Sequence, residues 1–295
     1  EARGLLLGAL GVLIFAMTLP MTRLAVGDAS APQLPPAFVT AGRAAVAGLL
    51  SVAVLAWQRA ARPARAQWRP FVVCALGTVV GFPLFLALAL RRVDAMHAAV
   101  VTGVLPLATA VIAAAALRQR PSAAFWACAV LGCALVLAFA AWQGSGALGP
   151  GDALLLAAVL SAAVGYVAGA QLAATMPAPR VICWVLVGSL PFTVPATWWL
   201  WPTEPATPQA WLGFLYTAVF SMWLGFFAWY RGLALGGVVR VSQVQLLQPF
   251  LALLFAAWVL GERLDAVTLG FTLAVVAVVA AGRRLPVTTR PAPAR

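Results

Sequence analysis

HAAVVTGVLPLATAV (residues 97–111) aligns with RVSQVQLLQPFLALL (240–254) when the chain is slid along itself by 143 residues. Each stretch carries a proline, Pro106 or Pro249, in the middle of an apolar run. The same slide lays LRQRPSAAFWACAVLG (117–132) on LGERLDAVTLGFTLAV (260–275). A slide of 141 lays PAFVTAGR (36–43) on PAPRVICW (177–184). Paired mid-run prolines and matched flanks predict an internal duplication, with halves at about 1–145 and 149–290.

Composition says what the halves are made of. Of 295 residues, 64% are hydrophobic and 9% charged, and the mean hydropathy is +0.99. Soluble domains carry about 25% charged residues, so this chain belongs in a lipid bilayer. Crossing the hydrocarbon as a helix takes about 20 apolar residues. Ten segments meet that length, roughly 5–25, 36–57, 70–90, 95–116, 122–142, 152–172, 180–201, 209–231, 238–260 and 265–282. Period-two alternation is absent, and backbone in lipid must satisfy itself as helix or closed barrel. The predicted fold is an all-α integral membrane protein of ten transmembrane helices. Five is odd, so the second half enters the bilayer inverted relative to the first. Inverted repeats with the solute held near the midplane are a transporter design.

Charge orients the bundle. Every basic residue is arginine, and the net charge is +12. Arg3, Arg59, Arg62, Arg65, Arg69, Arg118, Arg120, Arg180, Arg231, Arg240, Arg283, Arg284, Arg290 and Arg295 fall at one set of helix ends. Asp28, Asp94, Asp152, Glu204, Glu262 and Asp265 fall at the other. The positive-inside rule places both termini in the cytoplasm. The arginines punctuate apolar runs instead of forming one basic face, which excludes a nucleic-acid partner. Cys74, Cys128, Cys133 and Cys183 show no CxxC or Cys/His grouping, so neither a zinc site nor a disulfide framework is expected. No cofactor is expected, and no Walker loop or HExxH pattern points to catalysis.

The two five-helix repeats, the GER turn (261–263) before the last span and the fourth-span prolines resemble the drug/metabolite transporter superfamily, EamA type. Arg43 in the second span and GDALLLAAVLSAAVGYV (151–167) opening the second half fit the same pattern. RQR (118–120) departs from it, standing where the family often has a Gly-Glu-Arg-like turn. The resemblance implies export or exchange of small metabolites by alternating access, with amino-acid exporters prominent. It also implies a central cavity lined by spans one to four and six to nine, with five and ten peripheral. The expected partners are a small-molecule solute and the lipid bilayer of a bacterial-type inner membrane, and the expected state is monomer or homodimer.

Candidate solute contacts follow from polar and aromatic residues inside spans. An unpaired amide in hydrocarbon costs several kcal/mol, on the order of 2–7, so the glutamines of VSQVQLLQPF (241–250) must face protein or water. Ser242, Gln245 and Gln248 share a helical face with Pro249, and their first-half counterparts include Thr102. Interhelical hydrogen bonding is the competing role. Arg43 is an intramembrane charge, functional by default, whose repeat mate is Trp184. His97, the lone histidine, sits at the outer end of span four and is either a proton switch or a satisfied interfacial residue. Trp223, Phe227 and Tyr230 recur at helical spacing, and Phe82 and Tyr166 add to an aromatic wall. WWLW (198–201) reads as an interface anchor. No acid stands in mid-span, which argues against carboxylate-driven proton coupling and against a quaternary-amine exporter of the same fold. The mid-span prolines and polar stripe argue against a purely structural membrane protein.

Overall fold

The computed structural model describes residues 2–116, 119–143, 148–236, 243–285 and 287–289. Among the described residues, eight helices are long and apolar enough to cross a membrane: α1 (Ala2–Val26), α2 (Pro36–Trp57), α3 (Arg65–Leu90), α4 (Ala95–Ala116), α5 (Ala123–Trp142), α6 (Pro150–Ala173), α7 (Ala178–Trp199) and α8 (Pro208–Gly232). Two shorter apolar helices follow, α9 (Gln248–Leu260) and α10 (Ala266–Gly282). Alanine, leucine and valine dominate them. In lipid the helix is enforced by the backbone's need for internal hydrogen bonds, whatever the β-branched content.

The packing order reveals the duplication. Helix α1 packs on α8 and α3 on α6; α2 packs on α7, and α5 on α10. Helix α4 packs on α6, and α9 on α1. Exchanging α1–α5 with α6–α10 turns each of these pairs into another of them or, for α2 with α7 and α5 with α10, into itself, which is a two-fold relation between inverted halves. Glycines permit the close approaches. A Cβ on Gly77 of α3 would lie 2.5 Å from the Ser161 carbonyl oxygen of α6, and one on Gly232 of α8 would lie 2.6 Å from the Gly8 amide nitrogen of α1. Small residues at such crossings give membrane helices their contact.

Interruptions repeat as well. Helix α3 carries a π-helical run, Ala75–Gly81, and α8 carries another, Tyr216–Leu224. Their last residues are 143 apart, the slide found in the sequence. Helix α4 breaks at Gly103–Val104 and restarts at Leu105. Helix α9 is led in by a 3₁₀ turn, Gln243–Leu247, and starts at Gln248. Pro106 and Pro249 thus sit in the first turn of a helical piece, where a missing N–H goes unneeded. The ninth span was expected as one helix from 238; residues 237–242 lie outside the described residues.

Outside the spans, a three-residue strand β1 (Gln119–Pro121) pairs antiparallel with β2 (Val287–Thr289). It ties the α4–α5 connection to the segment after α10.

Candidate functional site

A cavity of about 880 Å³ runs from the middle of the bundle to one end. It is lined by α1, α2, α3, α4, α6, α7, α8 and α9, with Val276 and Val279 from α10. Helix α10 was expected at the periphery, so its contribution is a correction; α5 gives none of the lining. The volume falls within the roughly 300–1,000 Å³ of small-molecule sites. The cavity reaches Ala173, Ala174 and Ala178 at the α6–α7 turn, where Ala173 and Ala174 are exposed. That end carries most of the arginines and is called the basic end; the opposite one is the acidic end.

The acidic end is closed by an apolar plug. Val26, Leu34, Phe38, Leu86, Leu90, Ala95 and Met96 are buried in one cluster. Phe38 stacks on Phe214 at 5.4 Å and meets Trp201 and Trp211 edge-on. Trp198 and Trp199 stand fully out, as interface anchors should. Trp201, grouped with them from sequence, is partly spent inside this aromatic cluster.

Polar contacts fasten the plug. Arg23 lies 3.6 Å from Asp28 and 3.7 Å from Asp94, and donates to the carbonyl oxygens of Leu90 and Val93. Arg91 donates to the carbonyls of Val26, Gln33 and Leu34. Glu262, from the α9–α10 loop, accepts from the Ala95 and Met96 amides at 2.8 Å each, capping the N-terminus of α4 in the other half. Burial raises the Glu262 carboxyl above the ordinary glutamate range, with the Met96 and Ala95 amides opposing. The GER turn therefore links the two halves.

His97 is the clearest correction. Its Nε2 lies 2.6 Å from Asp152 Oδ1, both side chains are buried, and neither lines the cavity. Asp152 also accepts from the Gly149 amide at 2.8 Å. From sequence it was an acid at the outer end of span six; it is the third residue of α6, buried inside the fold. Phe139 of α5 packs on the imidazole at 5.1 Å. The pair fastens α4 to α6 at the acidic end.

Of the other residues singled out, Arg43, Phe82, Thr102, Tyr166, Tyr230 and Gln248 line the cavity. Thr102 spends its hydroxyl on the Ala98 carbonyl at 2.7 Å. Trp184 and Trp223 do not line it: Trp223 pairs with Phe227 at 5.1 Å, off the cavity face of α8. Phe226 and Trp229 line it instead. Ser242 lies outside the described residues, as does the Gln245 side chain.

Sequence reasoning missed Thr18 and Ser221. Arg43 is 2% exposed, and its Nη2 donates to Ser221 Oγ at 3.1 Å. Thr18 Oγ1 donates to the same oxygen at 2.8 Å. The signal was available, because a hydroxyl in mid-span needs a partner. Ser221 lies in the π-helical run of α8, 143 residues from Thr78 in that of α3, and both line the cavity. Such π segments concentrate at functional sites.

The sequence model of the EamA-like transporter family matches residues 2–140 and again 149–281. The chain belongs to the EamA-like transporter family. It is also 42% identical over 285 residues to the uncharacterized transporter YdeK of Bacillus subtilis (strain 168), covering 94% of this chain and 96% of that protein. A solved crystal structure, 19% identical, superposes with a TM-score of 0.61 over 93% of this chain and 98% of its own, a likeness of fold alone. The protein is a multi-pass membrane transporter of this family, with a cavity bounded by both halves.

Proposed function

We propose that the protein is a secondary transporter that exports or exchanges small metabolites, foremost amino acids, by alternating access. Its two inverted halves meet between residues 145 and 149. The observation that carries this reading is the cavity bounded by both halves, reaching the basic end and plugged at the acidic end. Such a chamber is one of the two states that alternating access requires. The arginine bias orients the basic end toward the cytoplasm, with both termini there, in a bacterial-type inner membrane. The cavity then accepts solute from inside.

Among the described residues no carboxylate lines the cavity. A permanent cation would find no counter-charge, which disfavours the quaternary-amine exporter, and a facilitator or exchanger is the better fit. The test is uptake into proteoliposomes of labelled amino acids, a quaternary amine and a nucleoside, with and without a pH gradient. Saturable amino-acid flux without a gradient supports the reading. Amine flux alone, driven by protons, replaces it with the drug exporter. Solute-dependent proton flux that survives His97→Ala removes the facilitator mechanism.

A further inference from the structure

We propose that Arg43, with Ser221, is the docking point for a carboxylate on the transported solute, whose apolar remainder rests on the aromatic wall. This deepens the transporter reading and rests on it.

The donor inventory carries the proposal. The Arg43 Nε and Nη1 are buried without a hydrogen-bond partner, and only Nη2 is engaged, by Ser221. Arginine keeps its charge in proteins, and a buried charge without a counter-ion is strongly unfavourable. No acid among the described residues pairs with it: the acids sit at the acidic end, engaged there or in loops. Ser221 Oγ accepts from both Thr18 and Arg43. Thr18 has one hydrogen, and its other acceptor, the Ile14 carbonyl at 3.5 Å, is much the longer contact, so the hydrogen goes to Ser221; a serine hydroxyl has two acceptor sites and one donor, and what Ser221 has left is an O–H to give. Arg43 and Ser221 both line the cavity, so unpartnered guanidinium N–H groups stand beside this hydroxyl at its wall. Such a set fits an anion.

The class of anion follows from charge and shape. Among the described residues that line the cavity, Arg43 is the only charged one. One cation balances a monoanion; a phosphate dianion would leave charge uncompensated. The planar guanidinium fork matches the two oxygens of a carboxylate. Around it stand Phe15, Phe82, Tyr166, Phe226, Trp229 and Tyr230. These faces suit an aliphatic or aromatic body, and they can hold an α-ammonium by cation–π contact where the solute is an amino acid.

The test uses two probes with one body, 3-phenylpropanoate and 3-phenylpropanamide, titrated against the full-length protein in detergent and followed by tryptophan fluorescence. The expected result is binding of the acid at least tenfold tighter than the amide in the unchanged protein. Arg43→Gln should bring the two within about twofold, while Arg43→Lys, which keeps charge but loses the fork, falls between. No binding of the acid, or equal binding of both, overturns the proposal without any variant, so an Arg43→Gln chain that fails to fold does not rescue it. A well-folded Arg43→Gln that still prefers the acid also overturns it. Proteoliposome flux separates the two levels: amino-acid transport with no acid preference sinks this site and leaves the transporter reading standing. Acid preference without amino-acid flux does the reverse.

Discussion

The acidic and basic ends are built from the same repeat, turned over, yet they are fastened by different chemistry. At the acidic end, Glu262 caps α4 across the halves, His97 and Asp152 join α4 to α6, and Arg23 and Arg91 stitch α1, α3 and their loops together. Thr207 adds two bonds to Gln33 between loops of opposite halves. At the basic end the described side-chain contacts between loops are Gln67 to Thr175 at 2.7 Å and Arg180 to Gln58 at 3.2 Å, both near the surface, beside the backbone pairing of β1 with β2. The slide of 143 sets Glu262 on Gln119, Asp94 on Gly237 and Arg91 on Ala234, and α6, the counterpart of α1, has no arginine. Duplication supplied two equivalent ends. The buried His97–Asp152 pair and a cross-half cap fasten one of them, and the cavity opens at the other.

Removing the most buried fastening should have the largest effect. Asp152→Ala leaves His97 and the Gly149 amide unpaired inside the fold, at a cost of about 3 kcal/mol. Gln67→Ala, the control at the basic end, should cost under about 0.5 kcal/mol, as exposed surface substitutions do. Thermal melts in detergent read both. Equal losses at the two ends would break the comparison.

Next comes the cap. Glu262→Ala strips two N–H groups of their acceptor and loosens the α9–α10 loop from α4, at about 2 kcal/mol. The opening should also show in chemistry. A cysteine at Ala99, a cavity residue near the plug, placed in a chain without its native cysteines, should react faster with an impermeant maleimide applied from the acidic side. Unchanged labelling would mean that the apolar plug alone closes that end. Arg23→Gln should act the same way but more weakly, about 1 kcal/mol, because its partners Asp28 and Asp94 are solvent-exposed.

The sequence announces the bundle clearly and the site only in part, for one physical reason. Length, hydropathy and a 143-residue slide survive any detail of packing, so ten helices and two inverted halves were legible from Pro106, Pro249 and their flanks. Which face of a helix looks inward is another matter. In water the apolar face is the buried one; in lipid both faces are apolar. Trp223 and Trp229 look alike on α8, yet only Trp229 lines the cavity. Polar residues keep their signal, because each needs a partner, so Arg43 and Gln248, which line the cavity, stand out in the sequence, and Thr18 and Ser221 carried the same signal. Asp152 was legible only as a charge at the acidic end, because nothing in the sequence sets it beside His97, 55 residues away.

The smallest effect expected is a pH dependence localised to the acidic end. Glu262 has its carboxyl raised by burial. A group whose pKa is higher in the folded protein than in the unfolded chain contributes stability that is full below the unfolded value and is lost as pH rises through the folded one. Asp28, held low by its bonds from Ser30 and Ala31, and Asp265, held low by Thr268, act oppositely. Their contributions hold above the ordinary aspartate range and fade as the pH falls through their lowered values. Between pH 7 and 5 the aspartates stay ionised in both states, and Glu262 alone of the three changes its balance. The melting temperature of the unchanged protein should therefore rise relative to Glu262→Gln as the pH is lowered from 7 to 5. A difference that stays flat would show that the Glu262 cap is hydrated at the acidic end, and the contrast between the two ends would then rest on His97, Asp152 and the apolar plug.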